Sequence, residues 1–211
     1  MFGVVVAWLA LVTGVGWWMS EQTIATHMAR IAESSAYEAK TTARIMDRLF
    51  AEMTSVANMV AHQAQVIQLA GRYRSDPASA AHLTREQRAA RFTRDPLVRS
   101  VGSFMNALSS DLGYARIYMN NLSDDTVTAS NWDESGSIVG MVYSGRPYLM
   151  DALRTGNGHS FGIARLNGSP SYFVTSRIED AAGSPLGSAT VKFDAPDMAL
   201  YVRGPHTPPI A

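Results

Sequence analysis

Asn131-Trp132-Asp133-Glu134-Ser135-Gly136-Ser137-Ile138-Val139-Gly140-Met141-Val142-Tyr143-Ser144-Gly145-Arg146-Pro147-Tyr148 is the stretch on which the fold turns. Proline fixes its own φ and disfavours a helical residue before it, so Arg146-Pro147 reads as an extended residue followed by a helix start. That sets a short helix, Pro147–Arg154, between strands on either side. It also holds Arg146 at an element end between Tyr143 and Tyr148. A planar guanidinium among phenols suits a carboxylate, which it can grip bidentately. The chemistry indicated is recognition of an acidic small molecule.

Downstream of Gly113 the apolar period is two. Tyr114–Met119, Thr126–Ser130, Ser160–Arg165, Ser171–Ile178 and Gly187–Asp194 read as strands, with turns at Asn120–Asp125, Asn167–Pro170 and Asp180–Pro185. Short turns favour antiparallel pairing. Upstream the pattern is helical. Residues 20–70 hold no proline or glycine, and Ile45, Leu49, Met53, Val56, Val60, Gln63 and Ile67 recur at threes and fours, predicting one long helix ended by Gly71. Val98, Val101, Met105, Leu108 and Leu112 predict a second helix ended by Gly113, and a short one is expected near Leu83–Phe92. Asp76-Pro77 and Asp95-Pro96 punctuate the polar segment between. The fold class is therefore α/β: a five-stranded antiparallel sheet with a long helix and a shorter one on one face, a PAS-like arrangement.

Phe2–Met19 is an uncharged run of eighteen residues with Trp17-Trp18 where an interfacial aromatic belt would lie, so a single-pass membrane anchor is expected. The expected order is anchor 1–19, stalk helix 20–70, ligand-binding domain 71–200 and irregular tail 201–211. The tail Gly204-Pro205-His206-Thr207-Pro208-Pro209 cannot continue a helix.

Composition excludes several classes. Eighteen basic and eighteen acidic residues balance, giving no reason to expect nucleic acid as a partner. No cysteine is present, which removes thiol catalysis and cysteine-ligated metals. His27, His62, His82, His159 and His206 are scattered without metal-ligand spacing, and no Gly-x-Ser-x-Gly, His-Glu-x-x-His or phosphate-binding glycine loop occurs. Neither an enzyme nor a cofactor is expected.

Lys192 sits in Ala189-Thr190-Val191-Lys192-Phe193-Asp194, an apolar strand where a lysine must be paired or face a cavity. Two readings stand for it, an internal pair with Asp194 or a ligand contact. Arg146 likewise either meets a ligand or pairs with Asp151 or Glu134. Thr175 could offer a hydroxyl from the fourth strand, and Arg165 could add a cation or face solvent.

Asn131-Trp132, Val139-Gly140, Tyr143 and Arg146-Pro147-Tyr148, followed by Ala152, Gly156, Phe161, Gly168, Pro170, Tyr172, Ser176 and the Gly187–Asp194 strand, resemble the extracytoplasmic Cache (PAS-like) sensor domain of DctB-type dicarboxylate sensor histidine kinases. The resemblance spans roughly residues 45–200. It implies ligand contacts at Tyr143 and Arg146, with Tyr148 supporting the arginine and Lys192 meeting a second carboxylate. Ala164-Arg165-Leu166-Asn167-Gly168 departs from the family's hydroxyl-rich turn. The implied partners are a small carboxylate such as a C4-dicarboxylate, the membrane, and a second copy through the stalk helix. The implied location is the inner membrane with a periplasmic sensor. A diguanylate cyclase or chemoreceptor input, or a dimerisation module with an occluded pocket, are the alternatives.

Overall fold

A computed structural model describes residues 2–75 and 83–198. Asp76-Pro77, His82, residues 199–202 and the proline-rich tail with His206 lie outside the described residues. The chain divides into two units, Met1–Asp47 and Arg48–Ala211.

The first unit is the leading part of helix α1 (Phe2–Ala61). Its described side chains face outward, including Trp8, Trp17, Trp18, Met28 and Tyr37. Among the described residues no helix is long and apolar enough to cross a membrane. Of the Phe2–Met19 run, the side chains of Phe2, residues 4–7 and residues 9–10 lie outside the described set, so the expected anchor is not shown.

The second unit holds the sheet. The last turns of α1 bury Leu49, Met53, Val56, Ala57, Val60 and Ala61, the predicted stripe. The stripe does not run on to Gln63 and Ile67 as expected. Gln63 is extended (φ −66°, ψ 129°), and a separate helix α2 (Ala64–Arg72) follows. The break shifts the buried set to Val66, Leu69 and Ala70, and Gly71 lies inside α2 with Tyr73 capping it. No glycine or proline marks the break. The His62 ring instead meets the Asn58 carbonyl at 2.7 Å, and the Asn58 side chain accepts from Ser176 Oγ at 2.5 Å, which ties the helix end to the sheet.

Helix α3 (Arg85–Arg94) opens with a capping box between Thr84 and Gln87. Helix α4 (Pro96–Leu112) opens on Asp95, whose carboxylate accepts from the Leu97 N–H at 2.9 Å, and closes at Gly113. Strands β1 (Arg116–Asn121), β2 (Thr126–Ala129), β3 (Asn157–Ile163), β4 (Pro170–Glu179) and β5 (Pro185–Asp194) form one antiparallel sheet in the order β2-β1-β5-β4-β3. Helix α5 (Pro147–Thr155) lies between β2 and β3 in sequence.

Both faces are covered, where helices on one face were expected. On one face Tyr172 meets Phe50 of α1 (ring centroids 4.1 Å), Ser176 meets Asn58, and Thr128 donates to the Val98 carbonyl of α4 at 2.9 Å. On the other, α5 stacks Tyr148 on Phe173 (4.8 Å, 5° between planes). This close seat needs Gly158, because a Cβ there would stand 2.1 Å from the Tyr148 carbonyl oxygen. The face under α5 carries Arg116, Tyr118, Phe173, Thr175, Thr190 and Lys192. Register aligns Lys192 with Arg116 and Phe173, and Thr190 with Tyr118 and Thr175.

Candidate ligand-binding site

The segment before α5 is stitched to the strand region. Gly140 N–H donates to Thr126 O and Thr126 N–H to Met141 O, each at 2.8 Å, and Tyr143 N–H donates to Asp124 O at 3.0 Å. Tyr143 to Arg146 then closes a turn, with Arg146 N–H on Tyr143 O at 3.3 Å and Gly145 at φ 74°, a conformation that favours glycine. Arg146 follows as the extended N-cap of α5 (φ −78°, ψ 124°), as a residue before proline should be.

Between this turn, the β3–β4 connection and the sheet lies a cavity of about 230 Å³. Tyr143, Arg146, Tyr148, Arg165 and Lys192, five of the six residues singled out from sequence, line it. Thr175 does not. It is fully buried, its hydroxyl bonded to that of Thr190 at 2.9 Å, and so is withdrawn as a ligand donor. Tyr118, Phe173, Asp194 and Asp197 line the cavity without having been singled out as binding residues. Only the β1–β5 register brings Tyr118 there, and a single sequence carries no record of register.

The two readings left open for Arg146 separate cleanly. Asp151 pairs with Arg154 at 2.8 Å and Glu134 with Arg116 at 3.4 Å, so neither holds Arg146. Arg146 donates from Nη2 to the Ile163 carbonyl at 3.2 Å, while its Nε is buried with no hydrogen-bond partner among the described residues. A buried guanidinium donor left open is costly, and an incoming carboxylate would satisfy it. Arg165 also lines the cavity, donating to Val142 O at 2.6 Å and Ser144 O at 3.4 Å, with its guanidinium 5.8 Å from the Tyr143 ring centre. Lys192, 7% exposed, realises the internal pair: its Nζ stands 2.7 Å from Asp194 Oδ1, which also accepts from Ser171 Oγ at 2.6 Å. It still lines the cavity.

Three phenols complete the wall. Tyr118 and Tyr148 share a hydrogen bond at 3.1 Å, and the Tyr143 hydroxyl donates to Met141 Sδ at 3.6 Å. Burial, reinforced by Tyr148, pushes the Tyr143 hydroxyl up to about 12; burial also raises Tyr118 and Tyr148. All three are neutral donors at physiological pH. Tyr143 ionises near 10 in the unfolded chain and near 12 in the native one, so between these values the native state holds the extra proton. Its contribution is intact below pH 10 and is lost as pH rises to 12, at most roughly 1.4 kcal/mol per pH unit. Tyr143→Phe is expected to flatten the alkaline fall in denaturant-measured stability, and an unchanged slope would contradict this. Among the described residues no group of three or more His, Asp or Glu is placed to hold a metal ion.

No family model matches the chain. The C4-dicarboxylate transport sensor protein DctB of Rhizobium meliloti (strain 1021) is 31% identical over 99 residues, 47% of this chain. The sensor domain of the V. cholerae histidine kinase DctB superposes with a TM-score of 0.64 at 12% identity, over 82% of this chain and 59% of that one. The chain thus has the Cache fold of the DctB sensor domain and, over 99 residues, a segment similar to the Rhizobium DctB. The E. coli DcuS sensor domain shares this Cache fold, with a TM-score of 0.54 at 12% identity over 76% of this chain and 99% of that one. The matching segment amounts to 16% of the length of the Rhizobium protein, so the chain spans only a small part of that relative.

Proposed function

We propose that this sensor domain binds a small carboxylate, a C4-dicarboxylate such as succinate, in the cavity between Arg146 and Lys192. The observation that carries this reading is the unpartnered buried Nε of Arg146, at a helix start, in a residue that lines a cavity together with Lys192. One carboxylate would take the Arg146 fork with help from Tyr143, and the second would approach Lys192. The name of the Rhizobium relative, a C4-dicarboxylate transport sensor, supports the same ligand class. The output would be a membrane-bound two-component histidine kinase. The uncharged Phe2–Met19 run and its exposed tryptophans support a single-pass inner-membrane anchor with the sensor outside the cytoplasm, and α1 would pair two copies.

Titration calorimetry of the purified chain with succinate, fumarate and malate is the test. A saturable one-site isotherm is expected, with thermal stabilisation of about 2.7 kcal/mol at a hundred times the dissociation constant. Absence of heat and of any melting shift with every dicarboxylate at millimolar concentration would overturn the assignment. Recovery of a mature protein starting near residues 20–30 would overturn the anchor.

A further inference from the structure

At Lys192 a plain diacid would meet the Asp194 carboxylate as well as the cation. Lys192 Nζ already faces a carboxylate, and a ligand carboxylate drawn to that nitrogen must lie beside Asp194, like charge against like. Both partners of Asp194, Lys192 Nζ and Ser171 Oγ, converge on Oδ1. Oδ2 has no hydrogen bond among the described residues, although Asp194 lines the cavity and is largely buried. Asp197 also lines the cavity. This end of the cavity thus offers a cation for a carboxylate and, next to it, an open acceptor for a cationic donor.

Charge agrees with geometry. Arg116 is occupied by Glu134, so Arg146, Arg165 and Lys192 stand against Asp194 and Asp197, one positive charge in surplus. Succinate would bring two negative charges. A dicarboxylate with an ammonium on the carbon next to one carboxylate brings one.

We infer that the favoured ligand is a 2-amino dicarboxylate of the aspartate type, its ammonium donating to Asp194 Oδ2, its adjacent carboxylate on Lys192 and its distal carboxylate between Arg146 and Arg165. The inference rests on the acid-binding reading of this cavity and names the ligand class within it. The ammonium cancels the repulsion that Asp194 would impose on the neighbouring carboxylate and satisfies an acceptor that otherwise meets only solvent.

The experiment compares succinate, L-malate and L-aspartate on the full chain by titration calorimetry, then repeats the series on Asp194→Asn. L-aspartate is expected to bind about tenfold or more tighter than succinate, the scale of one charged hydrogen bond. In Asp194→Asn that ratio should collapse toward one. Succinate equal to or tighter than L-aspartate in the parent chain overturns the inference while leaving the acid site standing. Malate above aspartate shows a neutral donor at Oδ2 and overturns the ammonium assignment. A ratio unchanged in Asp194→Asn removes Asp194 from recognition. Failure of all three acids to bind overturns inference and site together. The parent comparison decides the ligand class whether or not the variant folds.

Discussion

Arg146→Ala is expected to lower dicarboxylate affinity by two orders of magnitude or more while leaving the fold in place. Among the described residues the side chain makes one hydrogen bond, to the Ile163 carbonyl, and its Nε has no partner, so little native stability depends on it. A bidentate grip on a carboxylate supplies two charge-assisted hydrogen bonds, each about 1.5–3 kcal/mol, which together correspond to a hundredfold or more in affinity. Arg146→Lys should recover little, because an ammonium can reach one oxygen but cannot form the fork. Melting temperature and titration calorimetry read the two effects separately. If Arg146→Ala melted like the parent and bound succinate and aspartate as tightly, the cavity would not be the site.

Arg88→Ala should be the most damaging single substitution away from the cavity. Arg88, on α3, donates from Nε to the Gly140 carbonyl at 2.8 Å and from Nη1 to the Leu83 carbonyl at 2.6 Å, and it faces Asp125 at 3.5 Å. The Asp125 side chain is completely buried, and its backbone neighbours Asp124 and Thr126 anchor Met141 and Tyr143. Removing the arginine takes away the cation opposite a buried carboxylate, an effect of about 3–5 kcal/mol. Acid affinity should fall as well, because the loosened segment is the one that presents Tyr143 and Arg146. Urea unfolding of Arg88→Ala, Asp125→Ala and the double variant would measure the coupling. A single-variant loss below about 1 kcal/mol would mean the pair behaves as an exposed ion pair.

What the sequence discloses is local. Pro147 after an extended arginine, Asp95 before Pro96, and the change of period after Gly113 each act within a few residues, and the corresponding α5, α4 and five strands are present. Arg146 and Lys192 stand out because a cation at a helix start and a cation in an apolar strand need a reason wherever they occur. The rest depends on partners distant in sequence. Thr175 looks like an open hydroxyl until the β4–β5 register sets Thr190 against it. Tyr118 reads as one more core aromatic until β1 lies beside β5. The helix break at Gln63 carries no glycine or proline, and beside it Asn58 meets Ser176, more than a hundred residues away. Coverage of the second sheet face by α5 depends on Gly158 admitting the Tyr148 carbonyl, a tertiary contact.

The central position of β5 would make the proposed binding site a calliper with one fixed jaw. Lys192 and Asp194 ride on a strand hydrogen-bonded along both edges, to β1 and to β4, and cannot shift along the sheet without breaking two ladders. Arg146 is the N-cap ahead of a nine-residue helix, bonded through its side chain to the Ile163 carbonyl at the end of β3, and its turn is held to the β3–β4 connection by Arg165 on the Val142 and Ser144 carbonyls. Adjustment to a longer or shorter acid must therefore come from the Arg146 side. If the proposed site binds an acid, ligand length would be set by residues 140–147 and the seat of α5, and re-gauging it for a different acid would call for changes there, with the β5 strand left untouched.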